Sequence, residues 1–282
     1  MRRSSNSAAG GARLKRLGHG QINFWRGGSL WIGLATAGAD VHAHHAIQLC
    51  IGLKGAVRFR APSADRWTEY AAALVPPHVP HAFDAEGSVV ANLFCEPESV
   101  TGRLLLQRFG AREIAAVELR DAEGAVERLR ECYAAGQPAE ILSDAARGVL
   151  VTFAAAAEPA PPTDPRVLKA IATIEQRLDR SVTLAEVAAS VHLSPSRFRH
   201  LFVAETGVAF RPYVLWLRLQ AALAHAMSGE SWTAAASHAN FADSAHLTRT
   251  FKRMFGVVPA ALDGMQAEPT RATARAAAWL PS

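Results

Sequence analysis

A segment spanning residues 194–207 recurs 49 positions later, and no other feature constrains the fold of this chain as tightly. Phe198, Leu201 and Phe202, followed by Gly207, correspond to Leu247, Thr250 and Phe251, followed by Gly256. Each copy reads as a helix of about three turns. Ser194-Pro195 opens the first with an N-cap residue and a proline at N1, and Asp243-Ser244 opens the second with two capping residues. Each ends on a glycine suited to a left-handed C-terminal cap. A shorter helix precedes each. Thr183-Leu184-Ala185-Glu186 has the form of a capping box opening Leu184–Ser190, and Ser231 is placed to cap Trp232–His238. Short helix, tight turn, longer helix is the helix-turn-helix plan, and it occurs here twice.

Helical geometry at about 100° per residue then sorts the side chains. In the first longer helix Phe198, Leu201 and Phe202 point inward, Ser196, Arg199, His200 and Val203 outward, and Arg197 lies at the flank. In the second, Leu247, Phe251 and Met254 point inward, Ala245, Thr248, Arg249 and Lys252 outward, and His246 flanks them. A reading helix needs such cationic and hydrogen-bonding groups. Arginine binds guanine O6 and N7 bidentately, and lysine neutralises phosphate. Solvated basic faces account for one such helix; two in the same register behind matching short helices favour DNA. Base edges fall to Ser196, Arg199, His200, His246, Thr248 and Arg249, and phosphates to Arg197 and Lys252. Between the units, residues 212–227 read as one helix of roughly 24 Å, a spacer able to set two reading helices into major grooves about 34 Å apart.

Charge agrees in place more than in amount. The chain carries 30 Lys/Arg and 25 Asp/Glu, a net +5. Residues 164–282 hold 13 basic and 9 acidic groups against 17 and 16 in residues 1–163, so most of the excess sits with the repeat. The proline-rich stretch at 158–165, EPAPPTDP, marks the domain boundary as a semi-rigid linker.

Upstream of it, residues 23–97 read as short β-strands, among them 30–34, 42–53, 57–60, 72–75 and 89–94, separated by Gly, Pro, Asp and Ser turns. Two amphipathic helices follow at 121–134 and 139–157, either covering a small barrel or forming a subunit interface. The expected fold class is two-domain, β plus all-α. A disordered leader covers 1–20, a β-barrel domain with trailing helices 21–157, the linker 158–165, the double helix-turn-helix domain 166–262 and a mobile tail 263–282.

Other classes find no support. Three dispersed cysteines, Cys50, Cys95 and Cys132, form neither a disulfide framework nor a zinc motif, which fits a reducing, cytoplasmic setting. No apolar h-region follows Arg2-Arg3, no run reaches the ~18–20 apolar residues of a membrane span, and no Walker or dinucleotide motif occurs. Cys50 is either a redox or metal group or, as the commoner role, a small buried hydrophobe.

Residues 166–262 resemble the AraC/XylS DNA-binding domain. FADSAHLTRTFKRMFGVVP is similar to the family signature, and LSPSRFRHLFVAETG to its first motif. Two departures stand out. Asn240 replaces the usual turn Gly, tolerably because Asn adopts the left-handed conformation. Ala261-Leu262 replaces an aromatic-basic pair and leaves the closing contact of the last helix open. The resemblance implies promoter DNA and RNA polymerase as partners.

Many family members carry a cupin-like sensor, and residues 23–97 resemble one. His42, His44 and Gln48 match the first cupin histidine motif in part, with Gln in place of the usual Glu; PPHVPHAF, with His81, is similar to the second. On a strand His42 and His44 share a face. With His81 they offer three imidazoles, and Gln48 a weak fourth ligand. Such a set suits divalent iron, nickel, zinc, manganese or copper, or an organic effector held without metal. Trp25, Trp31, Phe59, Trp67 and Phe83 either line that pocket or form core.

The resulting expectation is a dimeric, non-enzymatic transcription regulator responding to a small-molecule or metal effector. The alternatives are a metal-dependent cupin enzyme fused to a DNA-binding module, and a DNA-binding protein whose barrel only dimerises.

Overall fold

The computed structural model describes residues 16–158 and 161–266. Nine strands lead: β1 (Gly18–Trp25), β2 (Gly28–Ala35), β3 (Ala39–His42), β4 (Ile47–Lys54), β5 (Val57–Arg60), β6 (Thr68–Tyr70), β7 (Ala72–Val75), β8 (His81–Asp84) and β9 (Val89–Cys95). With the two-residue strands β10 (Ala115–Ala116) and β11 (Met265–Gln266) they form two sheets. The larger runs β10-β7-β4-β9-β2-β1-β11 and the smaller β3-β8-β5-β6.

Alternation along the strands gives the large sheet two apolar faces. One face buries Leu30, Ile32, Leu49, Ile51, Leu74 and Leu93 against α1 (Val100–Phe109), α2 (Glu123–Ala134) and α3 (Ala139–Ala154). The other buries Cys50, Ala73, Val75 and Val90 against Val57, Phe59 and Phe83 of the small sheet. Helix α1 is absent from the periodicity reading; Ser99 caps it by accepting from the Gly102 amide. The run expected as one strand over 42–53 is broken at residues 43–46, between β3 and β4.

The second half is helical: α4 (Pro165–Glu175), α5 (Leu184–Ser190), α6 (Pro195–Thr206), α7 (Phe210–Met227), α8 (Trp232–His238) and α9 (Ser244–Phe255). The caps form as their residue types dictate. Thr183 and Glu186 make the reciprocal capping box, while Ser194, Ser231 and Asp243 accept from the amides three residues on. Gly207 and Gly256 both end their helices at φ 72°, and Asn240 takes the tight turn at φ 54°.

Both chain ends differ from expectation. Residues 18–20, expected in the disordered leader, belong to β1, paired with residues 33–35 of β2. Met265 and Gln266, expected in a mobile tail, pair in parallel with Gly20 and Gln21. The cause is one junction: the Leu17 amide donates to the Ala261 carbonyl (2.8 Å), and Ala261 and Leu262 are buried in a 3₁₀ turn that closes the helical domain. Residues 1–15 and 267–282, the rest of the leader and tail, lie outside the described residues.

A single apolar cluster joins the domains, with Ile22, Phe24, Trp31 and Phe94 of the large sheet packed among Trp216, Leu217, Phe251 and Phe255. The linker is tied down as well. The Thr163 hydroxyl donates to the Glu98 carbonyl (2.6 Å) and accepts from Arg103 (2.7 Å).

Candidate nucleic-acid interface and barrel histidine cluster

Helices α6 and α9 each bury an apolar stripe. Phe198 and Phe202 are buried in the first, and Leu247, Thr250 and Phe251 in the second. The opposite faces carry the expected groups. Ser196, Arg197, Arg199 and His200 are exposed on α6, and Arg249 and Lys252 on α9. Among the described residues neither Arg199 nor Arg249 has an ion-pair partner, so both guanidinium forks are available. Thr248 is half-buried and bonds back to the Ser244 carbonyl (2.9 Å). His246 is half-buried against the Phe241 ring at 5.2 Å, which turns part of its surface away from a ligand. Lys252 lies 3.7 Å from Asp40 of β3.

In the β-domain, His42, His44 and His81 come together, one ring nitrogen of each within 4.8 Å of the others. Strand alternation is not the reason. His42 ends β3, and His44 sits in the irregular stretch after it; the pairing of β3 with β8 then sets His42 opposite His81. Each Nδ1 lies 2.8 Å from a backbone carbonyl, of Asp40, Ala46 and Val79 respectively. Only an N–H satisfies a carbonyl, so this fixes the tautomer and leaves each Nε2 with a free lone pair.

The His81 Nε2 is buried without a partner. The His44 Nε2 stands 3.1 Å from the Gln48 Oε1, and the Gln48 amide nitrogen donates to Asn92 (2.7 Å). That arrangement opposes two acceptors, a conflict removed by a cation between them or by a flipped amide. Burial, reinforced by the neighbouring rings, lowers His42 to about 4 and both His44 and His81 to about 3. The three imidazoles are therefore neutral at pH 7, as metal ligation requires. The donor set fits a divalent transition metal.

This cluster abuts α9, the longer helix of the second helix-turn-helix unit. The His44 ring lies 6.3 Å from that of Phe255, the last residue of α9. The Asp40 amide donates to the Gly256 carbonyl (3.1 Å). Of the aromatics, Trp31, Phe59 and Phe83 are core and Trp67 is 41% exposed. Cys50 is fully buried with its thiol pushed well above the usual range by that burial, which makes it a small hydrophobe.

A second interdomain node escapes any reading of the sequence. The buried Glu98 carboxylate accepts from His45 Nε2 (3.1 Å) and from the hydroxyl of Tyr213 on α7. Burial pushes its pKa up, but these two donors outweigh burial and hold the carboxyl below its ordinary value. No local pattern signals it, because the partners lie 53 and 115 residues away.

Fold and site define a two-domain protein, a two-sheet β-domain joined to a double helix-turn-helix domain. Within that helical domain, residues 187–264 match the helix-turn-helix domain family. The chain is also 34% identical over 110 residues to an uncharacterized HTH-type transcriptional regulator, YidL, of Escherichia coli K12. The aligned region spans 38% of this chain and little more than a third (37%) of that relative. The whole architecture is similar to ToxT from Vibrio cholerae. An apo form of a ToxT variant superposes with a TM-score of 0.56 at 13% identity, covering 83% of this chain and 94% of that one. The form of ToxT bound to an unsaturated fatty acid gives 0.54 at 12% identity, covering 88% and 97%. At such identities the likeness is one of fold. Among the described residues no helix is long and apolar enough to cross a membrane.

Proposed function

We propose that this chain is a sequence-specific transcription regulator that binds promoter DNA through α6 and α9 and responds to an effector held in its β-domain. The observation that carries this reading is the contact between the histidine cluster and the C-terminal end of α9. An ion held there would draw together His42, His44 and His81, whose ring nitrogens lie within 4.8 Å of one another; His42 shares the Asp40 backbone with Gly256. An effector there acts on the element that presents Arg249 and Lys252.

The effector on this reading is a divalent transition metal on His42, His44 and His81, with Gln48 as a weak fourth donor. Arg199, His200, Ser196 and Arg249 read base edges, with Thr248 and His246 secondary because both are half-buried; Arg197 and Lys252 contact phosphate. The protein works as a homodimer through α2 and α3 and recruits RNA polymerase. Description of the matched relative as a transcriptional regulator favours this over a metal-dependent cupin enzyme.

A second reading of the effector, a small organic molecule, is favoured by one feature. A cleft of about 540 Å³ opens between the domains, lined by His78, Arg103, Leu106, Gln107 and Glu205. The fatty-acid-bound state of ToxT is a structural neighbour consistent with an organic ligand in this architecture.

The test couples DNA and metal measurements. Genome-wide mapping of bound DNA supplies the operator. Arg249→Ala should then cost about 1–3 kcal/mol of discrimination between operator and scrambled duplex, and His81→Gln should remove one metal equivalent and the metal dependence of operator affinity. An unchanged operator-to-scrambled ratio overturns the base-reading role. Operator affinity indifferent to metals but responsive to a carboxylate metabolite overturns the metal in favour of the cleft.

A further inference from the structure

The second helix-turn-helix unit holds a cluster that neither the reading faces nor the barrel uses. His225 lies in the last turn of α7, Glu230 in the loop that follows, and His238 at the end of α8. One ligand atom of each lies within 4.8 Å of the others. The Glu230 Oε1 is 2.7 Å from His225 Nδ1, and its Oε2 is 2.8 Å from His238 Nδ1. The two rings stand 4.9 Å apart, centroid to centroid. Among the described residues the ion-pair partners of this carboxylate are the two imidazoles, and no lysine or arginine neutralises it.

We propose that His225, Glu230 and His238 form a second divalent-metal site, suited to zinc or copper, that staples the spacer helix α7 to α8. Two imidazole nitrogens and a carboxylate oxygen match the ligand preferences of these ions, with water completing a tetrahedral site. Metal–ligand bonds of about 2.0–2.1 Å place tetrahedral ligands about 3.3 Å apart. The carboxylate therefore needs to retreat from the rings by well under about 1 Å.

The helix termini and the solvent access of the site favour a cation here. Both histidines sit at helix C-termini, where the carbonyl ends carry partial negative charge. Ligation also needs the proton moved from Nδ1 to Nε2 on each ring. The His225 Nε2 is buried with no partner, so in the ligating tautomer its N–H needs a water as acceptor. The His238 side chain is 56% exposed and the Glu230 side chain 31%, which gives water and the ion a way in. Gly229, at φ 100°, turns the chain back so that Glu230 overlies the end of α7, its amide donating to the His225 carbonyl (3.3 Å).

Occupancy would reach the DNA-reading face through α8, whose Trp232 packs on Phe251 of α9 at 5.8 Å. The site is separate from the barrel cluster and does not depend on it.

The experiment uses the full-length chain, stripped with chelator and titrated with Zn²⁺, or with Co²⁺ for its visible absorption bands. In a background of His44→Gln and His81→Gln, which disables the barrel cluster, one equivalent should still bind and raise Tm. His238→Gln, a change at an exposed position, should weaken that binding at least about tenfold and abolish both the Tm shift and the Co²⁺ bands. Glu230→Gln should weaken it similarly. In the otherwise unaltered chain His238→Gln should likewise remove one equivalent, a readout that does not rely on the barrel variants folding. Absence of metal binding in the barrel-disabled chain together with an unchanged stoichiometry in His238→Gln overturns the site. So does residual binding indifferent to both His238→Gln and Glu230→Gln.

Discussion

Asp40 and Gly256 join the β-domain to α9 through their backbones: the Asp40 amide donates to the Gly256 carbonyl at 3.1 Å. The approach leaves no room for a side chain. A Cβ on Gly256 would lie 2.3 Å from the Asp40 carbonyl oxygen and 2.7 Å from the His42 Nδ1. Gly256 thus serves both as the left-handed cap of α9 and as the point where the barrel touches it.

Gly207 supplies the control. It has the same φ of 72° at the end of α6, but a Cβ there meets nothing within 4 Å. Gly207→Ala should cost about 1–2 kcal/mol, the backbone penalty alone. Gly256→Ala should cost clearly more and alter operator affinity as well, because it also forces α9 off the barrel. Chemical denaturation and operator titration of the two variants make the comparison; equal costs would show that the close approach contributes nothing.

Asp40 also faces Lys252 across 3.7 Å, with both side chains more than half exposed. Such a pair contributes little to stability, about 0.2–1 kcal/mol. On the proposed function its effect should appear in DNA binding, since Asp40 places a negative charge beside Lys252, the lysine proposed to contact phosphate. Asp40→Asn should raise affinity for non-specific duplex by several-fold at low salt and steepen the dependence on salt concentration. A salt series by fluorescence anisotropy measures both.

Glu98 should be the most sensitive polar position at the domain junction. Glu98→Ala leaves the donors of His45 and Tyr213 buried and unpaired, at a cost of about 3–5 kcal/mol. Tyr213→Phe, which removes one hydrogen bond to a charged acceptor, should cost about 1.5–3 kcal/mol. The double variant should cost less than the sum, since both changes delete the same contact. Additive costs in a thermal denaturation series would contradict direct coupling of the domains through this pair.

Glu175, at the end of α4, gives the stability a pH dependence of definite sign. Burial, with Glu98 nearby and Arg26 opposing, raises its pKa from 4.5 to about 7. Between those values the folded chain holds the proton more tightly than the unfolded chain does. The contribution is therefore greatest below pH about 4.5 and is lost as pH rises through 7. Glu175→Gln should remove that decline and stabilise the protein at pH 8 by about 3 kcal/mol relative to its effect at pH 4.5. Thermal denaturation at the two pH values measures it.

Local relationships are legible from residue type. Thr183, Ser194, Ser231 and Asp243 cap their helices because a hydroxyl or carboxylate reaches amides three residues away, a relationship written within four letters of sequence. The outward faces of α6 and α9 follow from helical spacing, although Thr248 and His246 are half-buried against their own surroundings. The gathering of His42, His44 and His81 is also expected from sequence, but for a reason that does not hold. The chain leaves the strand after His42, and it is the β3–β8 pairing across nearly forty residues that assembles the cluster. Helix α1 escapes a periodicity reading because Leu104, Leu105 and Leu106 are consecutive and mask the helical period.

The sequence alone determined the double helix-turn-helix, its caps and its outward arginines, because each depends on neighbours within a turn or two of chain. Only the tertiary structure decided what those parts do to one another. The contacts of Gly256 with Asp40, Glu98 with Tyr213 and Met265 with Gly20 join residues 115 to 245 positions apart. No local propensity encodes such contacts. They exist because the apolar surfaces of both domains are buried in one shared core, and that burial sets which backbone and which carboxylate meet at the seam.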